Sequence, residues 1–256
     1  MRRTNLGLNR RALLEAAAVV AALTTLSSST VASASPADRP APHQSPIRIL
    51  PGDTEPAHLP TLHVHYPRDT TVTMTYVRED AGEPGGCTVR GDEETVRAEL
   101  PTGAGSLTVA GVTYGLAQFH WHTPSEHLLS ARDYPIEMHF VHQDSTGHTL
   151  VIGVWVRPGA PNPTLGRLYD HLVSECAADA PVGHIDVGAL LPRRHTSYRY
   201  DGSLTTAPYT EGVQWVMLTD PITASPRQIT EFRAMFPTGN RRDVQDLNDR
   251  VVITDR

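Results

Sequence analysis

The chain has 256 residues, 39% of them hydrophobic, which suffices for one domain with a sizeable core. Its formal net charge of −6 argues against a nucleic-acid surface, and all 22 of its cationic side chains are arginines. Two cysteines, Cys87 and Cys176, allow either one bridge in an oxidising compartment or two free thiols.

Residues 1–34 read as an export signal. The pair Arg10 and Arg11 precedes a weakly apolar run, ALLEAAAVVAAL, interrupted by Glu15, and VASASP offers an Ala-x-Ala site with cleavage after Ala34. The pair and the weak hydrophobicity favour the twin-arginine route. The run is well short of the roughly 20 residues that span a bilayer, so no stable membrane association is expected after cleavage. The mature protein is expected in the periplasm or outside the cell. Residues 35–43 form a Pro-rich tether, and 44–256 show neither a composition break nor an internal repeat, as a single domain would.

Past the tether, β-branched and aromatic runs bounded by Gly, Pro, Asp or Asn predict strands at 61–66, 71–77, 106–122, 136–143, 149–156 and 213–219. Two helical patterns interrupt them. The first, 162–176, carries apolar residues at Leu165, Leu168, Leu172 and Val173; the second, 225–236, has Ser225 as N-cap and Pro226 as the first helical residue. The expected class is mostly β with small peripheral helices.

Residues 118–142, QFHWHTPSEHLLSARDYPIEMHFVH, hold five of the thirteen histidines. Strand alternation puts His120 and His122 on one face and Phe119 and Trp121 on the other. After a turn-rich stretch the next strand, an antiparallel neighbour, carries Glu137, His139 and Val141 on one face and His142 on the opposite one. If the Glu137 face turns toward the first pair, His139 becomes a third ligand. Three imidazoles without a fourth protein ligand describe a catalytic zinc site with a position open for water. The competing reading is a solvated sheet face that happens to alternate histidines. Gln118 and Glu137 weigh against it, because each lies two residues from a histidine, where its oxygen can accept the remaining ring N–H.

This segment resembles the zinc signature of the α-class carbonic anhydrases, with HxH on one strand and ExH on the next. QSPIRI (44–49), YRYDGSLTTAPYTEGVQWVML (198–218), PITASPRQITEFR (221–233) and VQDLNDRVV (244–252) resemble further family elements in the same order. The resemblance implies a large twisted, mainly antiparallel central sheet, a Zn2+ cofactor, and carbon dioxide and bicarbonate as substrate and product. It implies reversible hydration of carbon dioxide, releasing a proton, by attack of zinc-bound hydroxide. Zinc on three neutral imidazoles lowers the pKa of bound water from about 16 to roughly 7. By resemblance, Thr205 accepts the hydroxide proton and donates its own to Glu126. Val141, Val151, Leu204, Thr206, Val213 and Trp215 are placed in the substrate pocket. Asn248 and Arg250 are assigned structural roles, and His127 and His142 are read as structural or surface histidines.

Two departures stand out. The family's Trp- and Tyr-bearing segment before QSPI, which closes over one edge of the active site, is missing between the leader and Gln44. With it goes one cysteine of a disulfide common in secreted members, whose partner position holds Tyr209. The family's Gly-His proton shuttle corresponds, in a weakly matching stretch, to Gly91 and Asp92, which leaves the shuttle unidentified; His43, His58, His63 and His65 are the first substitutes to test. An alternative function is a non-catalytic, carbonic-anhydrase-like binding protein. The intact ligand set together with Glu126 and Thr205 favours the enzyme. Oligomeric state and physiological role are not legible at this level.

Overall fold

Alternating apolar residues and frequent turns divide the chain into short strands. The computed structural model describes residues 42–79, 91 and 93–255; the expected export signal, the tether up to Ala41, Cys87 and Asp92 lie outside them. In chain order the strands are β1 (Arg48–Ile49), β2 (Glu55–Ala57), β3 (His63–His65), β4 (Thr70–Val77), β5 (Thr95–Glu99), β6 (Ser106–Val109), β7 (Val112–His122), β8 (Leu128–Leu129), β9 (Ile136–Gln143) and β10 (Thr149–Pro158). Helix α1 (Pro163–Tyr169) follows, then β11 (Ala180–Ile185), β12 (Ser197–Ser203), β13 (Glu211–Leu218), β14 (Ile222–Ala224), α2 (Pro226–Met235) and β15 (Ile253–Asp255).

Most of the strands join one large sheet in the order β11-β4-β5-β7-β9-β10-β13-β12-β15-β2, with β6 and β3 added beside β7 and β14 beside β10. Its pairs are antiparallel except β10–β13, β10–β14 and β15–β2. The mostly β, mainly antiparallel expectation therefore holds. The run 106–122, read as one strand, is a hairpin: Ala110 and Gly111 both have positive φ, 50° and 80°, as a two-residue turn that matches strand twist demands. Strands β5, β12 and β15 were not anticipated. In β5 the charged Arg97 and Glu99 hide the strand pattern.

The two sheet faces bury separate cores. On one, Phe119, Trp121, Met138 and Phe140 pack with Leu165, Leu168 and Phe232 from the helices. On the other, Ile47, Ile49, Val151, Trp155, Tyr200, Val213 and Trp215 form a smaller cluster. Alternation along β7 and β9 thus sends aromatic side chains into the first core and the histidine ligand candidates toward the second.

Helix α2 begins as expected, with a reciprocal capping box between Ser225 and Gln228. Helix α1, in contrast, ends at Tyr169 and does not reach 176. Asp170 closes it, and Cys176 adopts a left-handed φ of 60°. Leu172 and Val173 pack against the core from this turning segment, so their apolar character does not report a helix face. Cys176 is disulfide-bonded, which settles one end of the cysteine question; Cys87 lies outside the described residues.

Candidate metal centre

The register of β7 against β9 sets His120 opposite His139 and His122 opposite Glu137. The three histidines consequently share one face, with ring centroids 4.7 to 5.1 Å apart. One nitrogen of each ring meets an acceptor. His120 Nδ1 donates to Gln118 Oε1 (2.9 Å), His122 Nδ1 to the Asn240 carbonyl (2.8 Å), and His139 Nε2 to Glu137 Oε1 (2.7 Å). These bonds select the tautomers and leave His120 Nε2, His122 Nε2 and His139 Nδ1 as the free ring nitrogens. The three residues offer ligand atoms within 4.8 Å of one another.

The donor set suits a metal cation. His122 Nε2 is buried and has no hydrogen-bond partner, a costly state for a polar atom unless something else engages it. Burial pushes the His120 pKa well below the usual imidazole value, helped by the charges of His122, His139 and Arg97. Burial also lowers His139, against the opposing pull of Glu137. Neutral rings are the form that binds metal. Three imidazoles with no thiolate and no fourth converging ligand among the described residues match an open zinc site.

His127, Glu137 and His139 form a second tight cluster, but hydrogen bonds already fill it. Glu137 Oε1 accepts from both His139 Nε2 and His127 Nδ1, each at 2.7 Å, and Oε2 accepts the His127 backbone N–H at 2.9 Å. His127 Nε2 in turn accepts from the Tyr200 hydroxyl (2.6 Å), which meets Ser45 Oγ at 2.9 Å. Burial works against the Glu137 carboxylate, yet the charges of and hydrogen bonds from His127 and His139 hold it well below the usual carboxylate range. His127 is therefore a fully buried brace and not a surface residue.

A cleft of about 270 Å³ opens beside the triad, lined by His120, His139, Thr205, Val141, Val151, Leu204, Thr206 and Trp215. Val213 does not line it. A register shift between Gly202 and Ser203 interrupts the β12–β13 pairing there, and Val213 packs into the core with Val151 and Trp215. Glu126 is buried; its Oε1 accepts the Arg242 backbone N–H at 2.9 Å, and its Oε2 has no hydrogen-bond partner and lies 3.8 Å from His139 Nδ1. Thr205 sits in the cleft wall, and no hydrogen bond joins it to Glu126.

A family model described as eukaryotic-type carbonic anhydrase matches residues 33–256. The chain belongs to the α-class carbonic anhydrases. Over 82% of its length it is 35% identical to a carbonic anhydrase of Neisseria gonorrhoeae and 36% identical to one of Klebsiella pneumoniae, covering 77% and 79% of those proteins. The solved α-carbonic anhydrase of Thermovibrio ammonificans, in complex with the inhibitor sulfanilamide, superposes with a TM-score of 0.71 at 35% identity, covering 82% of this chain and 86% of that one. The chain is thus an enzyme of this family, whose reaction is the hydration of carbon dioxide.

Several residues at this carbonic anhydrase site escaped sequence reasoning. Asn240 is buried, 118 positions from His122; besides its carbonyl bond to that ring, Oδ1 accepts from Thr123 N (2.7 Å) and Nδ2 donates to the Glu94 and Trp121 carbonyls. The only local signal was a turn at Gly239, whose φ is 90°. Arg242 stacks over Tyr209 at 3.6 Å and donates to Gln44 Oε1 and the Ser45 carbonyl. Glu93 takes the Tyr209 hydroxyl and the Ala207 N–H on its two oxygens. Tyr209 is thus held between Arg242 and Glu93 in the loop after Thr205.

Among the described residues, no histidine other than His120 and His139 lines the cleft. His43 bonds Asp249 at 3.1 Å, His63 and His65 lie exposed on β3, and the Asp92 position falls outside the described residues. Asn248 ties down the Pro42 carbonyl, and the Arg250 guanidinium bonds the carbonyls of Asp201 and Asp246, as structural roles require. His142 is buried and bridges Tyr66 and the Leu150 carbonyl.

Proposed function

We propose that this enzyme is a zinc-dependent carbonic anhydrase in which His120, His122 and His139 hold the ion. The observation that carries the reading is the buried, unpartnered Nε2 of His122 beside two other imidazoles whose tautomers leave a free nitrogen. Zinc bound there would supply Lewis acidity that makes hydroxide available from water near neutral pH. Gln118, Asn240 and Glu137 hold the three rings in the neutral, ligand-ready tautomer. Glu126, with one oxygen committed to Arg242 N and the other without a hydrogen bond, is assigned as acceptor of the Thr205 hydroxyl proton. That direction leaves the Thr205 oxygen to accept from the nucleophile and orient its lone pair toward carbon. Val141, Val151, Leu204 and Trp215 give the small apolar substrate a dry wall. The proton left after each turnover has no histidine acceptor in the described cleft lining, so buffer or more distant groups take it.

The test is zinc stoichiometry measured together with carbon dioxide hydration on the mature protein. One zinc per chain with active hydration is expected, and full zinc occupancy in His139→Ala would overturn the ligand assignment. Export belongs to the same proposal, supported by the arginine pair, the apolar run and the Ala-x-Ala site of residues 1–34. Mass spectrometry of protein recovered from outside the cytoplasm should give an N-terminus at Ser35; an intact leader on cytoplasmic protein would refute it.

A further inference from the structure

The cleft wall carries one side chain of permanent charge, Arg97. It sits on β5 directly opposite His120 of β7, so the guanidinium projects on the face that carries the triad. Among the described residues its single hydrogen bond runs from Nη2 to Glu99 Oε1 at 2.5 Å, and Nε is buried without an acceptor. Glu99 takes Nη2 alone, so Nη1 and Nε have no acceptor among the described residues. Gln118 stands beside it with its oxygen committed to His120 Nδ1, so only its amide N–H groups remain to face the cleft. Arg97 and Gln118 therefore present donors alone, one of them cationic, at the edge of the space next to the triad.

We propose that Arg97 and the Gln118 amide form a subsite for a small monovalent oxyanion of the carboxylate or bicarbonate class. A planar guanidinium matches the two oxygens of such an anion, and the amide adds a third donor. If the carbonic anhydrase reading above holds, bicarbonate is generated within reach of this subsite, and Arg97 sets how strongly product and competing carboxylates occupy the cleft. That use rests on the proposed function; the donor arrangement does not.

The experiment uses the zinc-loaded protein with acetate and bicarbonate as probes at constant ionic strength. The Arg97 Nε–H resonance, identified by its loss in Arg97→Gln, is followed by NMR during each titration, and inhibition constants are measured in parallel from hydration kinetics. A saturable shift with both probes is expected, with both inhibition constants rising about tenfold in Arg97→Gln. Arg97→Lys should recover part of the affinity, and Glu99→Gln, which frees the fork, should tighten binding. Tighter binding of bicarbonate identifies the product as the favoured occupant; tighter binding of acetate identifies organic carboxylates. No shift with either probe, or an equal shift with chloride, overturns the subsite. Absent hydration alongside a saturable acetate shift would defeat the proposed function and leave the subsite standing.

Discussion

Glu137→Gln isolates the contribution of the buried carboxylate behind His139. The native side chain answers three donors, the ring N–H groups of His127 and His139 and the His127 backbone N–H, on two oxygens. Glutamine has nearly the same volume but one oxygen, so its amide nitrogen must face at least one of these donors in a site with no access to water. Leaving a buried donor unpaired and removing the charge from the remaining bonds costs about 3 kcal/mol of stability. Without the charge the bond that fixes the His139 tautomer weakens, for which a 10- to 100-fold weakening of metal binding is expected, about 1.4 to 2.7 kcal/mol. Chelator competition measures the zinc dissociation constant, and urea unfolding measures stability. A zinc affinity within twofold of the unmodified protein, with an unchanged unfolding midpoint, would refute the reasoning.

Thr205→Ala should retain one zinc per chain and lose roughly 10²-fold in kcat/KM, since it removes one positioned proton contact; unchanged kinetics would assign that contact elsewhere. Burial lowers the His142 pKa to about 4, with hydrogen bonds to backbone carbonyls opposing, so the unfolded chain takes up a proton first as pH falls. Its stability contribution is complete above about pH 6.5 and declines down to about pH 4, by about 3 kcal/mol in all. Urea unfolding at pH 7.5 and 4.5 should show a smaller pH difference in His142→Gln than in the parent; equal differences would exclude His142 as the source. Because no histidine beyond His120 and His139 lines the described cleft, kcat should rise with imidazole buffer concentration while kcat/KM stays constant, and Asp92→His should raise kcat at low buffer. A high kcat independent of buffer would reveal a shuttle among the remaining groups.

Period-two alternation by itself determined that His120 with His122, and Glu137 with His139, occupy single strand faces, and that Gln118 stands where it can hold an imidazole. Serine and proline at 225 and 226 likewise announced the start of α2. Such features are legible because they depend on neighbours two to four residues away. Which faces meet is decided by strand order, and strand order follows from burying two cores at once on opposite sides of one sheet. So the partner of His122 is a carbonyl 118 residues distant, one oxygen of Glu126 is taken by the N–H of Arg242, and Arg97 enters the cleft through a β5–β7 register that its charged strand did not advertise. Helix α1 shows the same limit in reverse. Its local periodicity runs on to 176, but the apolar side chains of 172 and 173 find the core from a turn, and burial, being indifferent to backbone conformation, satisfied them without a helix.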